Sequence, residues 1–225
     1  MENNNRIPEG GAIKDTNQMN MEKYSSIMKK RLESQYIEFA DNVISKVNPK
    51  PNSRVLEIGS GPGWAGIHLL KKRTDLTLDG LEPSPDMIRV ATSNASDEGL
   101  TSRINYIPGV GEDMHRIPDE NYDLTISRAS LHHWDEPERV FSEIHRVLKP
   151  DGKLYIQDSR RDINLIGRLI VNIIGTFKAG EMFKYWKSSI VASYTPQEIK
   201  EMLNKIGTNH WTVDSDILDL SILKY

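Results

Sequence analysis

The sequence predicts an α/β domain: a mostly parallel sheet with helices on both faces. Three observations point there. Apolar runs of strand character alternate with segments of helical period between residues 54 and 158, a glycine-rich turn directly follows the first strand, and 225 residues suffice for one such core with an appendage.

Each element has its own justification. Residues 1–20 are polar, carry Asn3-Asn4-Asn5 and Gly10-Gly11, and show neither apolar period, so they read as a mobile arm. From residue 21 to 47, Tyr24, Ile27, Met28, Leu32, Tyr36, Ile37, Phe39, Ala40, Val43, Ile44 and Val47 recur at helical spacing, as one long helix or two short ones, until Asn48-Pro49 ends the run. Strands are then expected at 54–58, 76–82, 103–108, 122–127 and 153–158, with helices at 64–73, 85–96 and 136–148. The run Leu148-Lys149-Pro150-Asp151-Gly152 supplies a helix stop and a turn before the fifth strand. Thr195-Pro196-Gln197-Glu198 opens a last helix over 196–206, followed by strand-like stretches near 210–214 and 217–223. The chain therefore divides into an arm at 1–20 and a single domain at 21–225, with its core at 50–158 and a lid inserted at about 160–194.

Composition excludes several classes. Lys plus Arg number 29 against 32 Asp plus Glu, a net charge of −3 with neutral histidines, so no global field gathers nucleic acid. Lys29-Lys30-Arg31 and Lys71-Lys72-Arg73 read as solvated helix faces. The absence of cysteine removes disulfides, thiolate metal sites and a cysteine nucleophile. No basic-then-apolar leader pattern opens the chain and no run approaches ~18 apolar residues, so stable membrane insertion is not expected and a cytoplasmic location is.

The stretch Val55-Leu-Glu-Ile-Gly-Ser-Gly-Pro-Gly-Trp-Ala-Gly66 contains a literal G-x-G-x-x-G in Gly61, Gly63 and Gly66. In a dinucleotide-binding turn the first glycine directly follows the strand. Here that residue is Gly59, and counted from it the slot of the third glycine holds Trp64. Pro62 withholds an N–H from a loop that would have to cradle phosphate oxygens. Glu57, two residues before Gly59, would repel a pyrophosphate but can hold an ammonium group. Glu82, at the end of the second strand, can accept hydrogen bonds from both hydroxyls of a ribose. A zwitterionic nucleoside without phosphate fits these residues better than NAD.

Four segments in order, Val55 to Gly63, Gly80-Leu-Glu-Pro-Ser84, Tyr122 to Ile126 with Leu131-His-His-Trp134, and Glu143-Ile-His-Arg-Val-Leu-Lys-Pro-Asp-Gly152, resemble the class I S-adenosylmethionine-dependent methyltransferases. The likeness is to the small-molecule branch that includes the ubiquinone and menaquinone methyltransferases. The resemblance implies a Rossmann-like fold with a seven-stranded, mostly parallel sheet whose last strand is antiparallel. It implies S-adenosylmethionine as cofactor, S-adenosylhomocysteine as product and a small-molecule methyl acceptor as substrate. Laid on this chain, it puts Glu57, Gly59, Ser60, Gly61 and Gly63 around the methionine part, Glu82 on the ribose, and Pro83 and Met87 near the adenine. Gly111 and Ser127 complete the set. Where the family often carries an adenine-contacting Asp this chain has Val110, so Glu112, Asp113 or the backbone takes that contact.

A sulfonium methyl is already activated, so alignment and exclusion of water are the main demands, and a base is needed only for a nucleophile that carries a proton. His132 and His133 lie just beyond the fourth strand, where such sheets place their sites, with His133 the preferred base or acceptor-positioning residue and His132 the second candidate, of less weight if its ring faces the core. No third ligand stands at helical spacing beside them, so no metal is expected. Ser127-Arg128-Ala129-Ser130 lacks the Asn/Asp-Pro-Pro-aromatic set that grips planar amino groups of adenine or glutamine. In the lid, Leu165-Ile166, Leu169-Ile170, Ile173-Ile174 and Phe177, followed by Phe183, Tyr185, Trp186 and Tyr194, can roof an apolar pocket or form a homodimer contact through 163–180. An NAD-dependent oxidoreductase and a non-catalytic cofactor-binding subunit are the alternatives at this point.

Overall fold

The computed structural model describes residues 6–7, 20–174, 183–208 and 210–225. Its strands are β1 (Arg54–Ile58), β2 (Thr77–Glu82), β3 (Ile104–Pro108), β4 (Tyr122–Arg128), β5 (Leu148–Ser159), β6 (Thr212–Ser215) and β7 (Asp219–Lys224). They form one sheet in the order β3-β2-β1-β4-β5-β7-β6. The first five pair in parallel and β7 runs antiparallel to both β5 and β6, as the resemblance implied. Strand order reverses between β1 and β4, and the carboxyl ends of strands beside such a switch point form the crevice in which open α/β sheets bind ligands.

The helices are α1 (Met21–Asn42), α2 (Trp64–Lys72), α3 (Pro85–Asp97), α4 (Pro137–Val147), α5 (Leu165–Ile174), α6 (Phe183–Ala192) and α7 (Pro196–Lys205). Successive β1 residues face opposite sides. Leu56 and Ile58 join the α4 and α7 side with Val140, Phe141, Ile144, Ile199 and Leu203. Val55 joins the α1 and α2 side with Phe39, Val43, Ile67 and Leu70. This two-sided burial is what makes the strands near-continuously apolar.

α1 is one helix that widens into a π-helical turn, Val43–Val47, and stops at Asn48 in left-handed conformation. α3 starts as its sequence suggests, with Pro85 in its first turn and the Ser84 side chain accepting from the Met87 N–H. α7 carries a full capping box between Thr195 and Glu198. The turn expected at 148–152 is instead drawn into β5, which pairs with β4 from Leu148 through an irregular register. Lid positions 175–182, including Phe177, and most of the 1–20 arm lie outside the described residues. Within α5 the apolar residues divide: Val171 packs inward with Ile163, just before the helix, and with Ile190, while Leu165, Ile166, Leu169 and Ile173 are exposed.

Candidate active site

The β1–α2 turn is built to come close to a ligand. Gly59 has φ of 68°, and a Cβ there would run into the Ser130 side chain. Its N–H and that of Ser60 donate to the Leu81 carbonyl, at 2.9 and 3.3 Å, which pins the turn against the end of β2. Gly63, at φ 83°, caps α2 and leaves room for the Tyr106 hydroxyl. Glu82 clasps the same turn from below. Its carboxylate accepts the Gly61 N–H at 2.8 Å and the Ser84 N–H at 3.0 Å. Burial pulls its pKa upward against those two donors. A carboxylate has about four lone-pair sites, so two remain for hydroxyl donors.

Glu57 is buried at the foot of this turn. Burial pushes its carboxyl up to about 8, with the Gly66 N–H pulling the other way and Glu82 adding to the rise. Its Oε2, the Ser60 Oγ and the Tyr106 hydroxyl are buried without a hydrogen-bond partner. Gly66, out of register as a phosphate-binding glycine, has a packing role instead: a Cβ at that position would collide with Glu57 Oε2 and Leu78. The glycine lets α2 lie close against β1 and β2.

At the far end of the expected cofactor path, Pro83 is exposed and Met87 half-buried. Gly111 is buried against Val140 and Ile58. Val110 is exposed and bridges to Asp113. The Asp113 carboxylate is turned to the His115 ring at 2.7 Å, which holds its pKa below the usual range. Glu112 reaches the Asp135 N–H at 3.2 Å and so ties this loop to the segment after the histidines. The Ser127 hydroxyl donates to the Ile58 carbonyl at 2.8 Å, which braces β4 to β1.

The histidine end is assembled by a turn. Ala129 leaves β4 at φ 50°, and Ser130 then sits over Gly59 and accepts the Trp134 indole N–H at 3.2 Å. A 3₁₀ turn, Leu131–His133, follows. His132 is buried, with Nδ1 at 2.8 and 2.9 Å from the two Asp158 oxygens and its backbone N–H donating to the same carboxylate at 3.0 Å. Burial drives the Asp158 carboxyl upward, but the His132 pairing and the His132 and Ser159 N–H groups prevail and hold it low. The His133 ring, half-buried, packs on that of His132 at 4.0 Å between centroids. α6 closes over this turn, and Arg6 reaches it from the N-terminal side, donating to the His132 carbonyl at 3.0 Å.

Sequence reasoning missed Asp158, Ser130 and Arg6. Asp158 had a readable signal, an acid at the penultimate position of an apolar strand at the functional edge of the sheet. A cleft of about 200 Å³ lies at the opposite edge, lined by Arg54, Asp79, Arg103 and their neighbours. Its arginines are spent on Asp79 and on the Leu70, Arg73 and Leu76 carbonyls, so it does not compete as the site.

Residues 56–156 match the family described as methyltransferase domain. The matched stretch runs from β1 into β5 and is similar to that domain. Demethylmenaquinone methyltransferase of Thermotoga maritima is 25% identical over 178 residues, which cover 73% of this chain and 72% of that protein. YcgJ, a methyltransferase of Bacillus subtilis, is 27% identical over 116 residues, 52% of this chain and 44% of its own. The chain spans less than half the length of two of its curated relatives, at 37% and 44%. The structure of a candidate S-adenosyl-L-methionine-dependent methyltransferase from Methanococcus maripaludis superposes with a TM-score of 0.71 at 24% identity, covering 90% of both chains, and shows the same fold.

The β1–α2 turn of this chain fits S-adenosyl-L-methionine, the cofactor in the name of the Methanococcus protein. In the Gly59 to Gly63 turn, Gly61 faces open space, while a Cβ at Gly59 or Gly63 would strike Ser130 or Tyr106. Glu57, Ser60 and Tyr106 hold unsatisfied buried oxygens at the foot of this turn, and an ammonium group is a donor that such oxygens lack.

Proposed function

We propose that this chain transfers the methyl group of S-adenosylmethionine to a small-molecule acceptor that gives up a proton. The observation that carries this reading is the placement of the His132–Asp158 pair two residues beyond Ser130, the residue seated on the Gly59 turn. The two ends of a transfer reaction thus share one edge of the sheet. Bound S-adenosylmethionine supplies an electrophilic methyl on a sulfonium. Glu57, Ser60 and the glycine turn hold its methionine end, Glu82 the ribose, and Pro83, Met87, Gly111 and Glu112 the adenine end, with Ser127 bracing the strands behind.

The chain's residues then align the acceptor, exclude water beneath the lid and take the proton. With Nδ1–H directed at Asp158, the basic lone pair of His132 is on Nε2. That base role moves from the more exposed His133 to His132, because Asp158 fixes the orientation and tautomer of the latter. His133 packs on its ring and completes the acceptor wall. A homodimer through the outer face of α5 and a cytoplasmic location belong to the same reading.

Calorimetry with S-adenosylmethionine, S-adenosylhomocysteine and NAD tests the cofactor half. Binding of the first two and not the third is expected, and tighter NAD binding overturns it. Transfer of labelled methyl to a panel of phenols, reduced quinones and amines tests the acceptor half. The Thermotoga relative's name adds demethylmenaquinone to that panel.

A further inference from the structure

Arg6 makes three contacts from a segment that the sequence marks as an arm. Its Nε donates to the Ala192 carbonyl at 2.6 Å and its Nη2 to the His132 carbonyl at 3.0 Å. The guanidinium lies 4.2 Å from the centroid of the Tyr194 ring. Beside it, the Ile7 N–H donates to the Val191 carbonyl at 3.4 Å. No carboxylate pairs with Arg6 among the described residues. The three anchors belong to different elements: Ala192 ends the α6 lid helix, His132 is in the 3₁₀ turn, and Tyr194 leads into α7 with its hydroxyl on the Trp134 carbonyl at 3.5 Å.

We propose that Arg6 is a positioning residue for the acceptor site, a strap that joins the closed end of the lid to the peptide carrying the His132 imidazole. Asp158 restrains His132 at its N–H and Nδ1, and Arg6 restrains it at its carbonyl. Fixed from both sides, the peptide cannot rotate the ring away from the acceptor while the lid is down. The arrangement needs a planar fork: the two carbonyls are approached by different guanidinium nitrogens while the flat face stacks on Tyr194, which a lysine ammonium cannot reproduce. Because Arg6 is 126 residues from His132 and 186 from Ala192, the strap exists only when lid, turn and N-terminal segment are assembled together.

Amide hydrogen exchange on the full chain, wild type against Arg6→Ala and Arg6→Lys, tests this without an acceptor. Faster exchange is expected in Arg6→Ala at 190–194 and at 131–134 together, an intermediate effect in Arg6→Lys, and partial restoration by millimolar guanidinium. Amides of β1 and β2 serve as the reference. Unchanged rates at the two segments, a change confined to the lid, or equal acceleration at β1 and β2 would each overturn the strap. The kinetic arm rests on the methyl-transfer reading. There Arg6→Ala is expected to lower kcat ~10- to 100-fold with S-adenosylhomocysteine affinity unchanged, the cost of a misplaced catalytic group. A null exchange result with active enzyme sinks the strap alone, whereas positive exchange without transfer to any acceptor sinks the methyl-transfer reading and leaves the strap as a lid clasp.

Discussion

The two halves of the site are built on different principles. The cofactor half is local: Glu57 to Gly66 is one strand, one turn and the start of one helix, and Glu82 reaches back across a neighbouring strand to hold Gly61. Its polar groups are left partly unsatisfied, with three buried oxygens lacking partners. The acceptor half is gathered from distant parts of the chain, Arg6, His132, Asp158 and the 183–194 segment, and its key groups are already bonded to one another. A half that waits for its ligand can be specified by a short motif. A half that must exclude water and hold one geometry is specified by contacts between elements.

The largest effect is expected where that geometry is held by a single carboxylate. Asp158→Asn keeps the volume but replaces an acceptor-only group with an amide, so the His132 tautomer is no longer enforced. If His132 takes a proton in the transition state, kcat should fall ~10²- to 10⁴-fold while cofactor affinity stays nearly constant. Turnover and calorimetry on the same preparation check this. Loss of cofactor binding in the variant would mean that the two halves are not separable as described.

This division also explains what was legible in the sequence. The alternation of apolar runs located every strand and every helix of the core, because two-sided burial writes itself into consecutive residues. The left-handed turn glycines Gly59 and Gly63 and the strand positions of Glu57 and Glu82 were readable because they lie in or directly beside their strands. Arg6 was not, because nothing near it in the sequence announces Ala192 or His132 as its partners; Asp158 stood at the functional edge of its strand, but its pairing with His132, 26 residues away, became visible only in the fold. The register argument discounted Gly66 as a ligand residue, and its packing against Glu57 became visible only with both elements in place.

An intermediate effect is expected in the cofactor half, from Glu57. A folded-state pKa of about 8, above the unfolded value near 4.5, means that the folded chain keeps a proton that the unfolded chain releases first. Stability from this group is full below about pH 4.5 and is lost progressively as pH rises toward 8. Each pH unit inside that window costs up to about 1.4 kcal/mol, or about 2–4 °C in Tm per kcal/mol for a chain of this size. Burial, opposed by the Gly66 N–H and reinforced by Glu82, sets this shift, and burial, with the Glu57 charge adding to it, in turn raises the Tyr106 and Tyr36 hydroxyls. Glu57→Gln should flatten the decline of Tm between pH 5 and 8 and raise Tm at pH 8, while weakening S-adenosylmethionine binding. Parallel pH curves for the two proteins would show that the carboxyl ionises freely and that the cradle is wetter than described.

The smallest effect should come from the turn that links the halves. Ala129 takes a left-handed φ of 50° that costs a residue with a Cβ about 1–2 kcal/mol, and its N–H is fixed to the Gln157 carbonyl at 2.9 Å. That conformation swings the chain from β4 so that Ser130 lands on Gly59 and His132 on Asp158, which ties the local half to the assembled one. Ala129→Gly removes the strain but adds freedom to the unfolded chain worth about 0.4–1 kcal/mol, so a net gain between about 0 and 1.6 kcal/mol is expected. Thermal unfolding should show a Tm higher by at most a few degrees, with cofactor affinity unchanged. A lower Tm would mean that the turn is not strained and that the Ala129 side chain is needed where it stands. A higher Tm with reduced kcat would mean that the alanine's stiffness, rather than its contacts, keeps the His132 turn in register with the glycine turn.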